Sequence, residues 1–170
     1  MPHQFTTSYL EDSLAILRQY KQLAERAMAQ AADEHLFVLL DGDANSIALI
    51  VKHMAGNMRS RWTDFLTTDG EKPDRNRDSE FEVPPATRAE LMRAWEEGWR
   101  HVFAAIEPLT EADLGRTVTI RGGPHSVMQA INRQIAHYAQ HIGQIILLAK
   151  HFAGEEWKSL SIPKRKGVGS

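Results

Sequence analysis

Two histidines four residues apart, His137 and His141, are the residues in this sequence whose spacing most directly indicates chemistry. They lie in INRQIAHYAQHIGQIILLAK, where apolar residues recur with helical period. Helix residues four apart share one face, with Cβ atoms about 5–6 Å apart. Two imidazoles at that separation can bind the same metal ion, so the spacing predicts a candidate ligand pair.

A third histidine, His53, stands in a separate helical stretch, NSIALIVKHMAGNMRSRW. An imidazole from a neighbouring helix would complete three-point ligation and leave coordination positions open, as in catalytic metal sites. A divalent ion held by three nitrogens can lower the pKa of bound water or of a bound thiol and so supply a nucleophile at neutral pH. The three histidines therefore indicate hydrolysis or thiol transfer.

Helical periodicity leaves simpler alternatives open for these histidines. In the fourth predicted helix, one member of the pair could cover the core while the other stays half exposed. His53 lies away from the main apolar stripe of its helix, as a surface histidine would. In a bundle, however, a helix contacts two neighbours, and the second face would be buried. That second face carries Ser46, Ile50, His53 and Asn57. The remaining histidines are expected to have structural or solvent-facing roles: His3, His35, His101, His125 and His151.

Four amphipathic stretches must position these side chains. Apolar stripes and N-capping residues predict helices over residues 7–32, 45–66, 87–107 and 126–151. Alternation predicts one short strand at Arg116–Arg121. Four long helices with long connections predict an all-α four-helix bundle, a single domain over residues 1–170. The basic tail, about residues 158–170, is expected to be flexible.

The connection Thr67–Ala86 contains three prolines and the charged run EKPDRNRDSEFE. Irregular loops of this length are usually functional or disordered. Because this one directly follows the helix that carries His53, it is predicted to cover the metal as a lid.

Polar side chains near the histidines are candidates for substrate binding. Asn57 follows His53 by one turn, and Gln134 and Gln144 lie about one turn before and after the pair. Arg61 ends the second helix, where a guanidinium can bind a carboxylate or phosphate with two hydrogen bonds. Ordinary helix polarity explains the amides equally well. Four arginines could either bind an anion or form salt bridges with nearby carboxylates: Arg59, Arg61, Arg75 and Arg77. The carboxylates available for salt bridges are Asp64, Glu71, Asp74, Asp78 and Glu80. No general acid or base stands out.

Composition excludes several classes of protein. The 170 residues, 42% hydrophobic and 25% charged, are typical of one globular domain. There is no cysteine, so nitrogen and oxygen must hold any metal. A net charge of −2 argues against a nucleic-acid partner. No apolar run reaches the roughly 20 residues of a membrane span. Since no secretory signal is visible, a cytoplasmic location is expected.

Two stretches, NSIALIVKHMAGNMRSRWTDFLTTDGEKPDRNRDSEFE and PHSVMQAINRQIAHYAQHIGQIILLAK, resemble the DinB-like (YfiT-type) metalloenzyme superfamily, and within it a bacterial subgroup without an assigned function. The resemblance extends from the first helix to the LSIPKRK tail. The shared motif is one histidine in the second helix and HxxxH followed by GQ in the fourth.

This resemblance implies a four-helix bundle with a divalent metal on His53, His137 and His141, and frequent homodimers. Neutral imidazoles suit Zn, Ni, Fe and Cu alike, and Zn or Ni is expected, with Fe as the alternative. Superfamily members include transferases and isomerases that use low-molecular-weight thiols, and amide hydrolases. The chain is thus predicted to be a metal-dependent S-transferase or hydrolase acting on a small molecule. The alternatives are a metal-dependent binding or stress-related module without catalysis, and a bundle that uses the metal only for stability.

Overall fold

Four α-helices account for most of residues 5–162, the part of the chain that the computed structural model describes. They are α1 (Tyr9–Met28), α2 (Ile47–Trp62), α3 (Arg88–Ile106) and α4 (Val127–Ala153). At each start a hydroxyl side chain accepts a hydrogen bond from the backbone N–H three residues later. The four caps are Ser8, Ser46, Thr87 and Ser126. The predicted four helices are therefore confirmed.

Helices α1 and α2 are shorter than predicted, and the reason is clearest for α2. Thr63 has an extended backbone, with φ −66° and ψ 127°, and Asp64 has φ 46°. This left-handed residue turns the chain away from the helix axis, although the apolar pattern continues to the buried Phe65. The apolar pattern therefore marks buried positions beyond the end of the helix, and this is why the predicted helix was too long.

Each helix has two main helical neighbours. The packing is most extensive between α2 and α3 and between α1 and α4, while α2 also meets α4 and α1 also meets α3. Large side chains such as Trp95, Trp99 and Tyr138 fill the shared core. This arrangement buries two faces of α2, one against α3 and one toward α4. None of the helices within residues 5–162 combines the length and apolarity needed to cross a membrane.

A two-stranded antiparallel sheet precedes α4. The predicted strand is β1 (Thr117–Ile120), and it pairs with a strand that was not predicted, β2 (Gly123–Ser126). The sequence of β2, GPHS, has no apolar alternation, so the strand is defined by backbone pairing alone. The Asp69 carboxylate accepts hydrogen bonds from the backbone N–H groups of Arg121 and Gly122 at 2.9 and 2.8 Å. The hairpin thereby anchors the start of the long connection after α2.

The connection Thr67–Ala86 consists of turns and one short 3-10 helix, Asp78–Phe81. Lys52 of α2 holds it by donating from Nζ to the carbonyl oxygens of Ser79 and Val83, at 2.5 and 2.8 Å. The segment lies along α2, where it can contact the side chain of His53.

Part of the predicted flexible tail contacts the turn that follows α1. Gln30 Nε2 donates to the Lys158 carbonyl oxygen at 3.0 Å, and Lys158 N donates to Gln30 Oε1 at 2.6 Å. The rest of the predicted tail, residues 163–170, and His3 lie outside the described residues.

The close approach of α2 and α3 depends on Gly98. A Cβ at this position would lie 2.9 Å from Met58 Sδ and 3.0 Å from the backbone Cα of Ala55. We expect Gly98→Ala to push the helices apart and lower the free energy of unfolding by about 1–3 kcal/mol. Thermal denaturation should show a melting temperature lower by roughly 2–10 °C.

Gly143 of α4 is the matched control, because a Cβ there meets nothing within 4 Å. Gly143→Ala should raise stability by about 0.5–1 kcal/mol through helix propensity. Equal effects of the two substitutions would contradict the steric role of Gly98.

Candidate metal centre

The side chains of His53, His137 and His141 converge between α2 and α4. Each offers a ring nitrogen, and these atoms all lie within 4.8 Å of one another. Nε2 of His137 and Nε2 of His141 are 3.1 Å apart. Two nitrogens bound to one tetrahedral Zn²⁺ at about 2.0–2.1 Å would be about 3.3 Å apart. The cluster therefore has the dimensions of a three-nitrogen site that could hold a metal ion.

Helix α2 presents His53 on its second buried face. His53 is 4% exposed, and Ser46, Ile50 and Asn57 on the same face are also buried. The alternative of a surface histidine is wrong for His53. The face is buried because α2 contacts α4 and the 3-10 helix in addition to α3.

The histidine pair lies at the edge of the apolar face of α4, as predicted. Ala130, Gln134 and Leu148 on that edge are buried, while His137 and His141 are half-buried. The pair therefore faces a groove between elements.

Glu80 orients His53, a contact that the sequence analysis did not anticipate. His53 Nδ1 donates to Glu80 Oε2 at 2.8 Å. Since the carboxylate accepts the Nδ1 proton, Nε2 keeps its lone pair for a metal. Arg75 holds the same carboxylate, from Nε to Oε1 at 2.8 Å and from Nη2 to Oε2 at 2.9 Å. Phe81 stacks on the imidazole with ring centroids 4.6 Å apart.

Gly56 is the sequence signal that could have indicated a close approach to α2 beside His53, although not that Glu80 makes it. It lies one turn after His53, and a Cβ on it would be 2.3 Å from Glu80 Oε1. Only glycine leaves room for the carboxylate beside His53. The charged loop had suggested Glu80 merely as a salt-bridge partner for arginine.

The other two histidines differ in how their second nitrogen is satisfied. His141 Nδ1 donates to Gln144 Oε1 at 2.8 Å, which fixes its tautomer as Glu80 does for His53. His137 Nδ1 is buried without a hydrogen-bond partner among the described residues. Gln144, a predicted substrate-binding residue, thus contacts His141, a candidate metal-binding residue.

The protonation states of the cluster suit metal binding. Burial, aided by the neighbouring histidines, lowers the pKa of His137 to about 3. Burial also lowers the pKa of His141, against an opposing effect of the Gln144 hydrogen bond. Burial alone would raise the pKa of Glu80, but hydrogen bonds from His53 and Arg75 outweigh it, so the pKa is lowered. At neutral pH the site thus contains neutral imidazoles of His137 and His141 beside a carboxylate, the state that metal ligation requires.

A cavity of about 370 Å³ borders His53 and His137. Asn57, Arg61 and Gln134, three predicted substrate-binding residues, line it. Gln134 Nε2 donates to Asn57 Oδ1 at 2.6 Å, so the two amides support each other. The open side of the histidine cluster therefore faces a polar chamber.

Two of the four candidate arginines, Arg59 and Arg75, form salt bridges, the alternative to anion binding. Arg59 pairs with Asp74 at 2.9 Å, and Arg75 pairs with Glu71 and Glu80 at 3.1 and 2.8 Å, which confirms salt bridges for these two. The guanidinium of Arg77 instead lies over the ring of Phe81, 5.3 Å from its centroid.

Acid should destabilise the metal-free protein through His137. In the unfolded chain this histidine has its ordinary pKa of 6.5, whereas the folded value is about 3. Between these values the unfolded state binds more protons, so stability is complete above about pH 6.5 and falls progressively toward pH 3. Glu80 adds a loss of the same sign below its ordinary pKa of 4.5.

Melting temperatures of chelator-treated protein between pH 7 and 4 would measure this effect. The variant His137→Gln should show a shallower dependence on pH. A melting temperature that stays constant over this range in the unchanged protein would contradict the expectation.

The fold and the cluster define a mostly helical protein with a three-histidine group that can hold a metal ion. A family model described as "Protein of unknown function (DUF1572)" matches residues 4–166. The chain belongs to this family. No curated protein matches the chain.

Proposed function

We propose that the chain is a four-helix bundle of the DinB-like type that binds one divalent metal ion through His53, His137 and His141. The convergence of three ring nitrogens from α2 and α4 carries this proposal. The buried Glu80 adds support, because ligating histidines usually donate their other nitrogen to a carboxylate or carbonyl.

Zinc or nickel fits the donor set best, and iron also accepts imidazole ligands. When bound, such an ion supplies Lewis acidity that lowers the pKa of water or of a thiol. Residues of the chain orient the metal ligands and line the substrate cavity. Glu80 and Gln144 keep two imidazoles in the ligating tautomer, and Asn57 and Gln134 line the chamber in which a substrate would lie.

The reaction we propose is thiol-dependent S-transfer or hydrolysis of a small molecule. Three protein ligands leave positions free, and the cavity of about 370 Å³ beside His53 and His137 provides space for a substrate. The Thr67–Ala86 connection lines this cavity with Arg75 and Arg77 and contacts His53 through Glu80 and Phe81, which supports the proposal that this segment covers the site.

Elemental analysis of protein purified without a histidine tag tests the metal, followed by a screen of small thiols with electrophiles and of amide substrates. We expect about one ion per chain, and turnover that chelation removes and the metal restores. Failure to bind any of the three metals after reconstitution would end the proposal. Tight binding of a metabolite without turnover would favour the non-catalytic binding module instead.

We also propose that the protein is a homodimer, as the DinB-like resemblance implies. Sedimentation velocity should give twice the mass of one chain, and a single-chain mass across the micromolar range would contradict it.

A further inference from the structure

The cavity beside the histidine cluster is strongly basic. Its lining includes five arginines, Arg61, Arg75, Arg77, Arg121 and Arg133. Two carboxylates, Glu71 and Glu80, pair with members of this group. The whole chain carries a net charge of −2, so the positive charge of this cavity is a local feature and not a property of the protein as a whole.

The two carboxylates leave several guanidinium groups without a full set of partners. Glu80 is occupied by Arg75 and His53. Glu71 is shared between Arg75 and Arg121, each at 3.1 Å. Two further arginines, Arg77 and Arg133, pair with no carboxylate among residues 5–162.

Arg61 is the strongest indication that a ligand is missing. It is 3% exposed, and its Nε and Nη1 are buried with no hydrogen-bond partner among the described residues. Its remaining nitrogen, Nη2, lies 3.6 Å from Glu71 Oε2, beyond ordinary hydrogen-bond length. A buried charge with unfilled donors is unfavourable unless another group satisfies it. Burial also lowers the pKa of Arg61, and the opposing charge of Glu71 does not offset it.

We propose that this cavity binds the oxyanion of a small molecule, a carboxylate or phosphate group, through Arg61, Arg77, Arg121 and Arg133. The planar guanidinium group matches both anions with paired hydrogen bonds. A volume of about 370 Å³ suits a small metabolite, near the lower end of the roughly 300–1,000 Å³ of ligand pockets. Because His53 and His137 line the same cavity, an anchored molecule would place its uncharged part beside the histidine cluster. That placement rests on the proposed function, whereas the anion binds with or without a metal.

Isothermal titration with inorganic phosphate and with succinate tests the anion site, at constant ionic strength. Each titration is run on chelator-treated and on Ni²⁺-loaded protein, and the Ni²⁺ absorption spectrum is recorded alongside. The variant is Arg77→Gln combined with Arg133→Gln, since both side chains are exposed and their loss should leave the fold intact. The matched control is Arg93→Gln combined with Arg100→Gln, two exposed arginines of α3 that change the net charge equally.

We expect saturable binding of at least one anion, weakened about a hundredfold in the variant, or about tenfold for each guanidinium removed. The control should bind as the unchanged protein does. Preference for phosphate or for succinate then identifies the anion. When both proteins are loaded with Ni²⁺, the anion should perturb the Ni²⁺ spectrum of the unchanged protein at a lower anion concentration than it does in the variant.

Absence of saturable binding, or equal weakening in the control, would overturn the anion site. If the anion binds in an arginine-dependent manner while Ni²⁺ does not bind, the proposed function fails and the anion site stands. If Ni²⁺ binds and neither anion does, the anion site fails alone.

Discussion

His137→Ala should lower the affinity for a divalent metal by roughly a hundredfold. Binding free energies of protein metal sites are on the order of 10 kcal/mol, so one of three ligands accounts for about 3 kcal/mol. The lost ligand is Nε2, which lies 3.1 Å from Nε2 of His141 and so shares its coordination space. Competition with a coloured chelator would measure the change, and the same loss is expected for His53→Ala and His141→Ala.

The matched control is His151→Ala, an exposed histidine near the end of the same helix. It should bind metal as tightly as the unchanged protein. Circular dichroism should show the helices retained in every variant, because the core is formed by apolar side chains of all four helices. Unchanged metal affinity in all three ligand variants would refute the site, and loss of the helices would instead assign these residues to packing.

Glu80→Ala should have the largest effect on stability among single substitutions near the site. It leaves the Arg75 side chain, 2% exposed, without its two strongest hydrogen bonds, and leaves His53 Nδ1 unpaired. Removing one partner of a buried ion pair costs about 3–5 kcal/mol, equivalent to a melting temperature lower by about 10 °C. Metal affinity should fall about 10- to 100-fold as well, because His53 loses the group that orients it.

Two variants separate these effects. Glu82→Ala removes an exposed carboxylate from the same segment and should change neither quantity. Glu80→Gln keeps an oxygen that accepts the His53 proton but removes the charge opposite Arg75, so metal affinity should recover more than stability. If Glu80→Ala bound metal normally while losing stability, Glu80 would serve only to hold Arg75.

The helices were predictable because their determinants are local. Capping hydroxyls at Ser46, Thr87 and Ser126 and apolar residues at helical spacing act within a few turns of the chain. The second strand was not predictable, since GPHS has no pattern of its own and is paired by its neighbour. The end of α2 was misplaced because the backbone turns at Asp64 while burial continues to Phe65.

The sequence by itself determined half of the site. The spacing of His137 and His141 places both imidazoles on one face of α4, because helix geometry relates residues one turn apart wherever the helix lies. Only the tertiary structure decided that His53 is buried, that Glu80 accepts its proton, and that Nε and Nη1 of Arg61 have no hydrogen-bond partner among residues 5–162. These contacts join residues far apart in the chain, and their geometry depends on how the helices pack and where the long connection crosses α2. No local pattern contains that information.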